Sequence, residues 1–245
     1  ICHQDFFMKP KHNISGIIIT FNEEKRIKSC IESLKKVADE VIVVDSYSTD
    51  NTKAICKNLD VTFIENEWMG FSKTKNFANS IAKNEFVFSL DADEVLSDEL
   101  IKNINKLKNR GLESGKIYAF NRLNNYCGQW IKYAGWYPDR KIRLFEAKKT
   151  EWIGDVHEKL EYPKDVETIS IKGDILHYSI KDKEDHIARI IKYNKLAKPF
   201  KNRQIAYLSA IATFIKLDLI KLGFMEGKLG FQLCLISAKA KIWRQ

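Results

Sequence analysis

The chain has 245 residues and a mass of 28.5 kDa, is 44% hydrophobic and 11% aromatic with four prolines, and carries 41 Lys and Arg against 32 Asp and Glu. That length and composition suit one domain with an appendage and exclude a disordered or low-complexity chain. The five cysteines (Cys2, Cys30, Cys56, Cys127 and Cys234) are odd in number, scattered and without a C-x-x-C pair, which argues against a disulfide framework or a zinc site and for a reducing compartment.

The formal charge of +9 is unevenly placed. Residues 1–180 hold 27 basic and 27 acidic side chains, whereas residues 181–245 hold 14 and 5. Ile1–Phe7 reads as neither a signal peptide nor a helix. Residues 1–13 are therefore expected to be an N-terminal extension, with Met8 expected as a natural start.

From Ile14 the pattern alternates strand and helix. Ile14–Thr20 is a short apolar run, and Ile27, Cys30, Ile31, Leu34 and Val37 then recur at helical spacing. Glu40–Asp45 predicts a second buried strand, 49–59 a helix, Val61–Glu65 a third strand and 71–82 a third helix. Phe86–Leu90 predicts a fourth strand running into Asp91-Ala92-Asp93-Glu94, and Ser97 reads as the N-cap of a helix ending near Gly111. This order implies an α/β fold whose mostly parallel sheet is covered by helices on both faces. After Gly115 the rhythm changes, with strands predicted at 116–123, 141–145 and 169–178.

Open parallel sheets bind ligands beyond the carboxyl ends of their strands. The first strand ends in Thr20-Phe21-Asn22-Glu23, the second in Asp45-Ser46-Tyr47-Ser48-Thr49-Asp50 and the fourth in Asp91-Ala92-Asp93. Each group alone has a structural explanation, with Asn22 and Ser48 as helix caps and Asp45 as a strand end. Their joint occurrence at one edge predicts a site. Two carboxylates separated by one residue after a buried strand suit a hard divalent cation that also carries phosphate oxygens. The chain has no G-x-G-x-x-G, no G-x-x-x-x-G-K-[ST] and no nucleophile elbow, which argues against dinucleotide oxidoreductase, P-loop and serine-hydrolase chemistry.

The ordered segments ISGIIITFNEEKRIKSCIESL, DEVIVVDSYSTDNT, KTKNFA and FSLDADE resemble the glycosyltransferase family 2 core in its GT-A fold. RKIRLF at Arg140–Phe145, WIGDVHEKL at Trp152–Leu160 and ILHYS at Ile175–Ser179 make the likeness closest to the lipopolysaccharide core β-glucosyltransferases. The resemblance implies a GT-A nucleotide-binding sheet over 14–180, a UDP-hexose donor, a saccharide or lipid-linked saccharide acceptor, and a divalent metal, Mg²⁺ or Mn²⁺. It implies that Thr20, Asn22 and Glu23 pack against the nucleotide and that Asp45 bonds uracil or ribose. Lys75 and Asn76 would lie near the diphosphate and sugar, Asp91 on the ribose or sugar side, and Asp93 on the metal with His177 as a further contact. Inverting transfer needs a carboxylate to take the acceptor's proton. Glu158 is the implied base, with Asp155 in reserve and His157 beside them. Arg140 and Arg143 read either as anion contacts or, more simply, as exposed strand charges. Two departures stand out, because family members commonly carry glycine where this chain has Tyr47 and Asn51. Asn51 tolerates a left-handed conformation and Tyr47 does so only at a cost, so the loop is expected to take a different path.

Residues 181–245 read as a basic helical extension. Ile205, Leu208, Ile211, Ile215, Leu219 and Leu222 form one apolar stripe, and Leu229, Leu233, Ile236 and Ala240 a second. Its longest charge-free stretch, 204–215, is too short to span a bilayer. Either the stripes pack on the protein or one lies in an anionic membrane interface. Nucleic acid is not an expected partner, since no recognition module or stacking signature is present. Together these features predict a cytoplasmic glycosyltransferase, peripheral on the inner membrane face, with a nucleotidyltransferase on a related sheet or a non-catalytic membrane-associated sugar-binding scaffold as the alternatives.

Overall fold

The computed structural model describes residues 12–154, 158–196 and 198–244. Strand β1 (Ile14–Thr20) is buried along its whole length, as a parallel strand covered on both faces must be. It pairs in parallel with β2 (Glu40–Asp45) on one side and β4 (Phe86–Asp91) on the other. Strand β3 (Thr62–Glu65) adds in parallel to β2. The register sets Thr20 opposite Asp45 and Ile19 opposite Asp91, so the three strand ends finish level at one edge.

Alternate residues of these strands feed two cores. Ile14, Ile18, Val43, Phe86 and Phe88 pack with α1 (Ile27–Leu34) and with α4 (Asp98–Arg110). Ile17, Ile19, Ile42, Val44 and Val87 pack with Ala78 of α3 (Phe71–Ser80), Phe145 and Trp152. Ser97 caps α4 by accepting the Leu100 N–H at 3.3 Å, and Gly111 at φ +89° ends it, as its sequence predicts. Helix α2 (Thr52–Lys57) starts three residues later than its pattern suggests. The physical reason is local: the Thr49 N–H donates to Asn22, and Asp50 accepts the Thr52 N–H.

The remaining strands are β5 (Glu94–Leu96), β6 (Lys116–Tyr126), β7 (Gln129–Ile131), β8 (Asp139–Glu146), β9 (Glu151–Ile153), β10 (Lys159–Glu161) and β11 (Glu167–Ile180). The main sheet runs β3-β2-β1-β4-β8-β6-β11-β5, with β7 on β6 and a separate β9–β10 pair. Strand β8 joins β4 antiparallel, which carries Arg143 toward the edge where β4 ends. Strand β5, too short to show a period, escapes the sequence pattern. Gly173 of β11 sits at φ +103°, and a Cβ there would come within 2.5 Å of the Leu100 backbone nitrogen. Gly173→Ala is expected to cost about 3 kcal/mol, combining a backbone clash with left-handed strain; a urea midpoint close to wild type would contradict this.

The chain packs as two compact units that do not follow sequence order. The first takes the chain up to Asn121 together with Arg140–Ile175, and the second takes Arg122–Asp139 and Leu176–Gln245. Tyr126, Ile131, Ala134, Ile180, Leu233 and Cys234 form the second unit's own core. Its helices are α5 (Lys183–Leu196), α6 (Arg203–Ile215) and α7 (Gly227–Ile242), with a π-helical segment at Lys216–Ile220 and a 3-10 turn at Gly223–Glu226. The two predicted stripes part company here. Leu233 and Ile236 of the second are buried, while all six residues of the first are exposed. Among the described residues no helix is long and apolar enough to cross a membrane.

Candidate active site

Two strand-end loops of the first unit are stitched together. The Asp45 carboxylate, fully buried, accepts both the Ser48 N–H at 2.8 Å and the Ser48 hydroxyl. Ser48 Oγ in turn accepts the Asn22 N–H at 2.8 Å, and Asn22 Oδ1 accepts the Thr49 N–H at 2.7 Å. Thr52 Oγ1 accepts the Glu23 N–H, and Glu24 accepts from both nitrogens of Asn51. This network corrects the expectation for the second loop. Tyr47 does take the left-handed conformation, at φ +58°, whereas Asn51 does not, at φ −76°. The paired bonds from Ser48 to Asp45 hold the turn that glycine would otherwise ease, and the tyrosine ring stays exposed. Thr20 Oγ1 and Ser46 Oγ, at the mouth of the same two strands, are buried without a hydrogen-bond partner among the described residues.

Beside these loops lies a chain of alternating charges. Lys75 of α3 is completely buried, with its Nζ 3.0 Å from Asp91 Oδ1 and 2.9 Å from Glu158 Oε1. Its ammonium also stands 4.7 Å from the Trp152 ring centre, a favourable place for a cation. The other Asp91 oxygen lies 2.6 Å from Arg143 Nη2, which is also 2.6 Å from Glu94 Oε1. Glu94 closes the ring by accepting the Asp91 N–H at 3.1 Å. Burial pushes the Asp91 carboxyl up, but Arg143 and Lys75 outweigh it and hold the group well below the ordinary carboxylate range. Burial pushes the nearby Cys30 thiol well up, and the carboxylates of Glu94, Asp93 and Asp91 add to the rise.

Of the residues singled out in the sequence, Lys75, Asp91 and Glu158 are therefore joined directly, and Asp45, Asn22 and Glu23 are joined through the loops. Asn76 clamps a neighbouring strand: its Nδ2 donates to the Trp152 carbonyl and its Oδ1 accepts the Trp152 N–H, each at 2.8 Å. Asp93 is half-buried in the turn after β4. Asp155 and His157 lie outside the described residues. His177 belongs to the second unit, where its Nδ1 lies 2.6 Å from Asn124 Oδ1. Arg143 corrects the simpler of its two sequence readings, because it is a buried double ion pair and not an exposed strand charge. Glu94 is not singled out by the sequence, where an acid directly after D-x-D is its only signal.

Among the described residues no three His, Cys, Asp or Glu side chains gather as a metal cage. A Mg²⁺-type ion needs only one or two carboxylates when substrate phosphates and waters complete its shell. The D-x-D turn offers two carboxylates for such an ion, Asp93 and Asp91, the latter already bonded to Lys75 and Arg143.

Parallel strands that end level on acids and hydroxyls, within a mixed sheet packed against helices, make a GT-A sheet. The family model of glycosyl transferase family 2 matches residues 15–160, and the chain belongs to that family. A glycosyltransferase of Rickettsia typhi is 33% identical over 258 aligned residues, covering 94% of this chain and 85% of its own. The lipopolysaccharide core biosynthesis glycosyltransferase LpsC of Rhizobium meliloti is 38% identical over 98 residues, 38% of this chain and 36% of its own. The crystal structure of Staphylococcus aureus TarS 1–349 with UDP-GlcNAc superposes with a TM-score of 0.47 at 17% identity, over 92% of this chain and 79% of its own. The protein is a glycosyltransferase, which removes the nucleotidyltransferase and scaffold readings.

Proposed function

We propose that the protein is a metal-dependent, inverting hexosyltransferase that moves glucose from UDP-glucose to a lipopolysaccharide core or similar surface saccharide at the inner face of the cytoplasmic membrane. The observation that supports this most is the Lys75 bridge, which ties the D-x-D carboxylate Asp91 to Glu158 through one buried ammonium. A transferase needs its donor-side acid and its proton acceptor in fixed relation, and a buried cation between them supplies it. The partial likeness to LpsC supports the acceptor class.

In this reading Thr20, Asn22, Glu23 and Asp45 receive the nucleoside, and the unpartnered Thr20 and Ser46 hydroxyls are groups that a bound base or ribose would satisfy. Asp91 and Lys75 line the sugar and diphosphate, and Asn76 keeps Trp152 in place beneath Lys75. Glu158 takes the proton of the acceptor hydroxyl as that oxygen attacks the anomeric carbon from the face opposite the nucleotide; Asp155 is the reserve acid. A divalent ion, Mg²⁺ or Mn²⁺, held by Asp93 and the donor diphosphate, would supply charge stabilisation to the departing UDP.

The test is a thermal-shift series with UDP-, GDP- and dTDP-glucose, each with and without Mn²⁺. UDP-glucose with Mn²⁺ at a hundredfold excess over its Kd is expected to raise Tm by roughly 5–10 °C, and Asp93→Ala to remove the metal-dependent part. Equal shifts from all three nucleotides, or a shift indifferent to metal, would overturn the proposal.

A further inference from the structure

Helix α6 exposes most of its large side chains. Ala206 and Ala210, one turn apart, are its buried positions, while Leu208 and Ile211 are 67% and 58% exposed. Helix α6 packs on α7, where Phe214 meets Phe231 edge-on at 5.4 Å. The outward apolar row does not stop with the helix. Leu219, Ile220 (69% exposed) and Phe224 carry it through the π-helical segment and the 3-10 turn. A helix that served only a water-soluble core would turn these side chains inward, and an exposed apolar surface of this extent marks an interaction site.

The charges around the row have one sign. Residues 198–228 contain six Lys and Arg and two acids. Lys201, Arg203, Lys216, Lys221 and Lys228 are exposed. Both acids are turned away from such a role. Asp218 is buried, and the Glu226 carboxylate accepts from the Gln129 side chain and from the N–H groups of Lys132 and Tyr133.

We propose that the exposed face of α6 and the two turns after it rests in the headgroup layer of an anionic phospholipid bilayer. The apolar row enters the boundary between headgroups and acyl chains, and the lysines meet lipid phosphates. Charge complementarity selects this occupant over a second copy of the chain, which would set the same lysines against each other. The proposal deepens the functional reading by assigning the surface that keeps the enzyme beside a membrane-held acceptor, and it rests on that reading only for this purpose.

The experiment is flotation of the protein with phosphatidylethanolamine–phosphatidylglycerol vesicles and with phosphatidylcholine vesicles, at low and high salt. Binding is expected on the anionic vesicles at low salt, and at least about tenfold weaker on phosphatidylcholine or at high salt. Leu208→Ser with Ile220→Ser, both on the surface, should lower partition at least about tenfold. Lys216→Gln with Lys221→Gln should lower it by a similar factor, at about fivefold per lysine. Undiminished flotation of either variant would overturn the proposal. So would an absence of flotation, and a dimer dissolved by Leu208→Ser with Ile220→Ser would then assign the face to a second copy. Transfer to a soluble saccharide without vesicles reads the functional proposal separately. Turnover there without flotation overturns the surface alone, and flotation without turnover overturns the reaction alone.

Discussion

Glu158→Gln is expected to bind UDP-glucose within a few-fold of wild type and to lose transfer by roughly 10²–10⁴-fold, the usual contribution of a positioned general base. Glutamine keeps the shape of the side chain and can still accept a hydrogen bond from Lys75, but it cannot take a proton from the acceptor. Lys75 keeps Asp91 at 3.0 Å and the Trp152 ring beneath it, so its buried charge stays compensated and the fold should hold. The loss should fall on kcat and leave donor affinity nearly untouched, since the interaction removed matters only as the acceptor oxygen attacks. Turnover like that of wild type would move the base to another acid, and Asp155→Asn would be measured next.

Arg143→Ala carries the largest expected effect on stability. One guanidinium nitrogen bridges Asp91 and Glu94, and Glu94 is fully buried. Removing the cation strands a carboxylate out of water, at a cost of about 3–5 kcal/mol. Arg143→Met combined with Glu94→Gln should cost much less than the sum of the two single changes, because it removes the charges together. The pH dependence follows from the same cluster. Asp91 is held well below the ordinary carboxylate range, so its stabilisation is present above the unfolded-state value of about 3.9 and is lost as pH falls through the lowered folded value. The gap between wild type and Arg143→Ala should therefore be largest at neutral pH and narrow as pH falls through the acid range. A gap unchanged into strong acid, or a variant as stable as wild type at pH 7, would show that the ring of charges contributes nothing.

The sequence made the sheet and its edge legible for a physical reason. Buried parallel strands must be continuous apolar runs, and their ends must turn polar where they reach solvent or ligand. Thr20, Asp45 and Asp91 stood out on that ground, and the register sets them level. The partners of those residues were harder to read. Arg143 lies in β8, where a charge every second residue looks like a solvated face; only the antiparallel pairing with β4 turns it inward. Glu94 was hidden because β5 is three residues long, too short for a period to form. The resemblance puts Lys75 near the diphosphate and sugar, but its complete burial between two acids depends on a residue 83 positions later. In the tail, hydropathy could locate both stripes but not say which faces a partner. Burial decides that, since Leu233 and Ile236 of the second stripe are buried and all six residues of the first are exposed.

The most direct measurement is the configuration of the product made from UDP-glucose, whose glucosyl bond is α. NMR of the saccharide formed with Mn²⁺ present should show a β-linked glucose and free UDP, with neither formed when the metal is chelated. An α-linked product, or equal turnover without metal, would contradict inverting, metal-dependent transfer.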